Sequence, residues 1–384
     1  MTRILYIGDP SSVHDIKWVS FFSTRPDFEA YFLVQDHEMS LLTPDRKKQF
    51  NELEITVEGP IKSYSLWRFW ENSASLKKIN EVIRKRNIDV VHPLFATPFS
   101  LWTRNLAVPS IITCRGSDIH VVLSRLGKGS LLNRIHGNLL LKRFKSAFEN
   151  AGAISCTSQG QLDRINDIFR TDLKAEIIRT GVNVKEINLL QSKLELTEAL
   201  NGKKIVFLPR YIQPIYQTEL QIRALSNLPD ALKEELAIVL IKGKRTPFDY
   251  MELVNSELAT SGIEHQVIES LTQHEMWSVF KLSSLAIMTP KTDGTPNSAL
   301  EAMAAKCPLI LGSFKYDEDL FSEQFCNRMK VDLANELTEL ITDSLQNYQQ
   351  KKIDAAFDNV KKRGNRLMEM ERVKKLYLSL KDKI

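Results

Sequence analysis

The chain is predicted to fold as two α/β units, each a Rossmann-like parallel sheet with helices on both faces. Three observations predict it. Short runs rich in β-branched residues alternate with longer segments of helical period along the whole chain. That rhythm stops in a polar stretch near residue 190 and then starts again. The length, 384 residues, is enough for two units that each bury a core.

In the first half the strands are expected at Arg3–Ile7, Ala30–Val34, Ile88–His92, Pro109–Cys114, Ala153–Thr157 and Glu176–Arg179. Helical patterns lie between them, as at Ser75–Arg86 and Leu131–Phe148. Lys185–Leu200 is polar and helix-prone, and Asn201-Gly202 supplies a turn. The second series runs through Lys204–Leu208, Leu236–Ile241, Gln266–Glu269, Leu285–Thr289 and Pro308–Gly312, and Asp354–Ile384 is helical in composition. The expected division is a first domain over 1–190, a linker over 191–202, a second domain over 203–365 and a terminal helix over 366–384. In sheets of this kind ligands sit at the C-terminal ends of the strands, here in a cleft expected between the two domains.

Composition narrows the class. A chain 43% hydrophobic and 26% charged is ordinary for a globular protein. No apolar run approaches the roughly 18 residues of a membrane-spanning helix, and the apolar start reaches Asp9 too soon for a signal peptide. Cys114, Cys156, Cys307 and Cys326 are widely spaced without a C-x-x-C pair, which reads as buried thiols in a reducing cytoplasm. The net charge of +5 is uneven: residues 1–190 carry a balance of +6 and the remainder −1. Residues 119–148 hold six basic side chains and no acid. An anionic partner for the first half follows, but no RNA- or DNA-binding motif is present, which disfavours nucleic acid.

The most informative stretch is Lys291–Pro308, KTDGTPNSALEAMAAKCP. After a strand comes a polar loop and then a strong helix former. Thr295 is expected to cap that helix, with Pro296 in its first turn. The N–H groups at Asn297 and Ser298 would then form an anion site. Glu301 lies one turn on, facing the side of Asn297, and Asp293 precedes it by eight positions. Two carboxylates around an anion-binding helix start suit a ligand with phosphates in its middle and hydroxyls at both ends. A well-capped helix with acids complementing its dipole has the same spacing.

This stretch resembles the D/E-x7-E motif of retaining GT-B glycosyltransferases of family four (glycosyl transferases group 1), bacterial surface-glycan type, as Asp293 through Glu301 followed by Ala302-Met303-Ala304. Ala153–Ser158 with Ile178–Asn183, Val206–Arg210 and the terminal helix around Glu371–Leu380 resemble other family segments in the same order, so the likeness runs nearly the whole chain. It implies a GT-B fold, two Rossmann-like domains facing a cleft, with the terminal helix crossing back to the first. It implies a nucleotide-diphosphate sugar as donor, a glycan or lipid-linked saccharide as acceptor, retention of configuration, and neither cofactor nor metal. By resemblance Glu301 holds the ribose, Asp293 the donor sugar, Asn297 and Ser298 the diphosphate, and Arg210 neutralises the leaving group. Three departures stand out. Pro209–Glu219 lacks the family's lysine, for which Lys242 or Lys244 are candidates, each reading also as a solvated loop lysine; Asp293-Gly294-Thr295-Pro296 replaces the usual loop; and Arg115 stands where a His is common.

In the first half, Gly8–His14 follows the first strand without the full G-x-G-x-x-G of dinucleotide binders. His14, Arg115 and His120 are the acceptor-side candidates, and Asp118 is a catalytic candidate or the cap of a helix. Leu132, Ile135, Leu139, Leu140, Phe144 and Ala147 form a stripe on the basic helix over 131–148, which reads as a core face or as a peripheral docking face for an anionic membrane. Tyr64–Trp70, an aromatic-basic run, favours the membrane side of that choice. A GT-B epimerase and a non-catalytic sugar-nucleotide-binding protein are the alternatives to a hexosyl- or N-acetylhexosaminyl-transferase.

Overall fold

A computed structural model describes residues 1–191, 197, 200–243, 246–347 and 349–382. It divides into two compact units, Met1–Thr180 with Glu369–Ile384, and Gly181–Met368.

In the first unit, β1 (Thr2–Ile7), β2 (Phe28–Gln35), β3 (Ile55–Ile61) and β4 (Val90–Pro93) form a parallel sheet in the order β3-β2-β1-β4. β5 (Ile111–Cys114), β6 (Ala153–Cys156) and β7 (Glu176–Ile177) continue it through a parallel bridge between Val91 and Ser110. The second unit repeats the plan with β8 (Lys204–Tyr211), β9 (Leu236–Ile241), β10 (Glu264–Ile268), β11 (Ser283–Met288), β12 (Leu309–Leu311) and β13 (Asn327–Arg328), ordered β10-β9-β8-β11-β12-β13. In both, the first strand of the unit lies between its second and fourth, so the strand order reverses there. Such a switch point is where open α/β sheets bind ligands.

The central strands are continuous apolar runs because helices cover both faces: all six residues of β9 are buried. Two strands escape the sequence reading. β3, ITVEGPI, carries Gly59-Pro60 and buries only its terminal isoleucines, as an edge strand can. β13 has just two residues.

The unit boundary falls at Thr180/Gly181, upstream of the expected 191–202 linker, because Val182, Val184 and Ile187 are buried in the second unit's core. Most of 191–202 lies outside the described residues. The helical tail is two helices, Gln350–Arg363 and Arg366–Lys381. From Glu369 the second belongs to the first unit, burying Met370, Val373, Tyr377 and Leu380 beside Ile4, Tyr6 and Phe22. A buried polar chain fixes it there: Tyr377 OH meets His92 Nδ1 at 2.5 Å, and His92 Nε2 meets Thr113 Oγ1 at 2.7 Å, which in turn meets Ser155 Oγ at 2.7 Å.

The expected apolar stripe on helix Leu131–Glu149 is divided. Phe144, Ala147 and Phe148 are buried, whereas Leu131, Leu132, Ile135 and Leu139 are exposed.

Candidate active site

The second unit's switch point gathers the residues expected there. Arg210 is the penultimate residue of β8, and its Nη1 donates to Ser298 Oγ at 3.2 Å while Nη2 lies 3.1 Å from Asp293 Oδ2. The Tyr216 ring sits under the guanidinium, 4.2 Å from centroid to Cζ. Burial works against the charge of Arg210, but Asp293 and Tyr216 more than offset it, so the guanidinium stays protonated. Asp293 Oδ1 also accepts the Gly294 N–H at 2.8 Å, which shapes the loop.

The helix that follows runs Asn297–Ala304. Its cap differs from expectation: Pro296 occupies the N-cap position and no side chain caps the turn, so Thr295 does not play that part. The reason is that Pro296 is extended (φ −70°, ψ 111°), which places the helix start one residue later. The first-turn N–H groups at Asn297 and Ser298 thus lack a side-chain cap, and Asn297 Oδ1 is buried with no hydrogen-bond partner among the described residues. Uncapped first-turn amides beside a guanidinium are a receptor for an anion.

Glu301, only 8% exposed, is held by two donors to one oxygen: Trp277 Nε1 at 3.0 Å and Gln273 Nε2 at 3.2 Å from Oε1. Neither donor was singled out in the sequence; a Trp and a Gln four positions apart in helix Gln273–Leu282 read as core and surface. Tyr216 was likewise missed. Its signal was an aromatic in Pro209–Glu219, the segment where the family's lysine is absent. Lys242 does not fill that gap: it pairs with Glu269 at 2.7 Å on the surface. Lys244 lies outside the described residues.

The first unit's corresponding edge is built differently. Asp118 is fully buried, and its carboxylate accepts N–H groups from Ala96, Arg115, Gly116 and Ile119 at 2.8–3.2 Å. The structure therefore corrects the catalytic reading of Asp118. Its oxygens tie the turns after β4 and β5 together and are taken up by those N–H groups. Burial raises its pKa, with those four bonds opposing the rise.

Arg115 Nη1 donates to Asp15 Oδ1 at 2.7 Å, and its guanidinium lies over Trp18. Asp15 also accepts the Asp9 N–H and the Ser12 hydroxyl, and burial raises its pKa against the pull of Arg115. Gly8 is required by this arrangement, since a Cβ there would fall 2.4 Å from Asp15 Oδ2. Asp15 was legible only as the fourth residue of Ser12-x-x-Asp15, a capping pattern. His14 is exposed in the first turn of helix Val13–Ser23, and His120 is half-buried in the turn Asp118–Leu123.

Among the described residues no group of three or more His, Cys, Asp or Glu side chains is placed to hold a metal, and no helix is long and apolar enough to cross a membrane.

The Glycosyltransferase Family 4 model matches residues 30–186 and the Glycosyl transferases group 1 model residues 193–359. A glycosyltransferase from Rickettsia africae ESF-5 has the same fold, at TM-score 0.76 and 15% identity, over 99% of this chain and 98% of that one. So does Anabaena HepE in complex with UDP, at 0.76 and 12%, over 99% and 100%. Sucrose-phosphate synthase from Thermosynechococcus elongatus follows at 0.71 and 13%, over 99% of each chain. No curated protein matches the chain in sequence. With one family model on each half and the GT-B architecture throughout, the chain belongs to the GT-B glycosyltransferases.

Proposed function

We propose that the protein moves a sugar from a nucleotide-diphosphate donor to a glycan or lipid-linked saccharide, with retention of configuration and without a metal. The observation that carries the donor side is the Arg210–Ser298–Asp293 group beside an uncapped helix start, with Glu301 held one turn further on. A diphosphate matches the guanidinium and the helix amides; a ribose diol matches the carboxylate.

In this reading the bond between the sugar C1 and the diphosphate oxygen breaks while the acceptor oxygen bonds to C1 on the same face. The acceptor's proton passes to the departing phosphate, so the protein needs no general base. Arg210 stabilises the charge that develops on the leaving group, and the fixed position of that charge is what makes it effective. In this reading Asp293, already paired with Arg210, orients that guanidinium and takes the sugar hydroxyls. The choice of UDP as the first donor to try is supported by HepE, whose structures hold UDP and UDP-glucose. His14, Arg115 and His120 remain the acceptor-side candidates, Arg115 through a guanidinium already oriented by Asp15.

Calorimetric titration with UDP-, GDP-, ADP-, CMP- and dTDP-sugars, each with and without EDTA, tests the reading. One nucleotide should bind selectively and independently of chelator, and hexose against N-acetylhexosamine forms of it then identify the sugar. Glu301→Ala should weaken that binding by about tenfold to a hundredfold, the value of hydrogen bonds to a charged group. Unchanged affinity in that variant would remove Glu301 from the donor site.

A further inference from the structure

Helix Leu131–Glu149 has two apolar sides. At about 100° per residue, Gly137, Phe144, Ala147 and Phe148 share one side and are buried. Leu131, Leu132, Ile135 and Leu139 share the opposite side, and Leu132 is 78% exposed. Lys142 and Arg143 continue that outer side one turn further on, Arg134 flanks it, and all three are exposed.

A second apolar segment lies against the first. The Trp67 ring stacks on His136 of the helix, 5.9 Å between centroids and 22° apart in plane. Trp67, Phe69 and Trp70 are 66%, 71% and 58% exposed. The helix cannot roll to hide its outer side, because a Cβ at Gly137 would already fall 2.1 Å from the Gly127 nitrogen. The result is a fixed apolar surface of seven large side chains, flanked in sequence and on the helix by the exposed Arg68, Arg134, Lys142 and Arg143. The acid nearest in sequence to the aromatic segment, Glu71, is paired with Arg68 at 3.1 Å.

We propose that residues 67–70 and 131–143 form a docking surface for an anionic lipid bilayer. Tryptophans suit the boundary between headgroups and acyl chains, and the basic rim matches anionic headgroups. Exposed apolar patches of this extent mark an interaction site. The charge decides against a second copy of the chain: a two-fold dimer through this face would set the same basic rim against itself.

The test is sedimentation of the full chain with phosphatidylcholine vesicles, with and without phosphatidylglycerol, at low and high salt. Binding should need the anionic lipid and weaken at least tenfold in high salt. Lys142→Glu with Arg143→Glu, and separately Trp67→Ser with Trp70→Ser, should each lower partitioning by about tenfold or more. Thermal unfolding of both variants should stay near the parent's, because these side chains are exposed. Equal binding to neutral vesicles, binding to neither, or a concentration-dependent dimer dissolved by the tryptophan variant would each overturn the proposal. None of these outcomes depends on the donor-site reading.

Discussion

In the first unit the carboxylate that follows β5, Asp118, closes on four backbone N–H groups, and Asp15 closes on Arg115. In the second unit the helix that follows β11 starts at Asn297 without a side-chain cap, and Arg210 stands at its mouth. The strand order is the same through the first six strands of each unit, so topology supplies two switch points. What differs is whether a side chain satisfies the backbone amides there: Asp118 does so in the first unit, and none caps the helix at Asn297 in the second. Amides closed by a buried carboxylate are architecture; helix amides left without a side-chain cap, beside a guanidinium, are a receptor.

The largest effect that could break this contrast is on stability. Asp118→Ala takes the side-chain acceptor from four N–H groups, of which Ile119 keeps the Gly116 carbonyl, and should cost about 3 kcal/mol or more in denaturant unfolding. A stable, inactive Asp118→Ala protein would return Asp118 to the catalytic machinery. Next comes Arg210→Ala, which should lower turnover about a hundredfold to a thousandfold while nucleoside binding stays within a few fold. Equal losses in both would make Arg210 a binding residue alone.

A smaller effect lies within the first unit and depends on pH. Burial, aided by the charge on Arg115, pushes the His92 imidazole down to about 3. The unfolded imidazole titrates near its ordinary value of about 6.5, so its contribution is fully present above that pH and declines below it, by up to about 1.4 kcal/mol per pH unit. Burial pushes the Glu38 carboxyl the other way, up to about 7, with Asp9, Asp15 and Asp36 adding to it while its bond from the Gln35 N–H opposes. Its contribution is present below the ordinary glutamate value and is lost as pH rises towards 7. Between pH 5 and 6.5, roughly, the two oppose each other. His92→Gln should therefore make stability rise on acidification, and Glu38→Gln should steepen its fall, both read from denaturant midpoints. The smallest effect is that of Lys242→Ala, which removes a surface pair worth about 0–1 kcal/mol and should leave donor affinity unchanged.

Much of the second unit's site is legible in the sequence, because its parts are close in the chain. Asp293, Asn297, Ser298 and Glu301 share one loop and one helix, and local spacing fixes their relation. Trp277 and Gln273 were not legible as partners of Glu301, because nothing in helix Gln273–Leu282 records which neighbour it packs against. Asp118 shows the same limit. Its position after a strand fits a catalytic loop as well as a buried staple, and only the arrival of Ala96 from another turn decides between them.

The order of strands and helices and the motif Asp293 to Glu301 follow from the amino-acid sequence alone, since periodicity and spacing are local properties. Tertiary structure decided three further points. It placed the unit boundary at Thr180/Gly181, it drew the last helix back to the first unit from Glu369, and it chose which apolar side of helix Leu131–Glu149 is covered. A helix with leucines on two sides carries no internal sign of which will be buried. The answer comes from the elements that pack against it, Gly127 and the first unit's core, and these lie elsewhere in the chain.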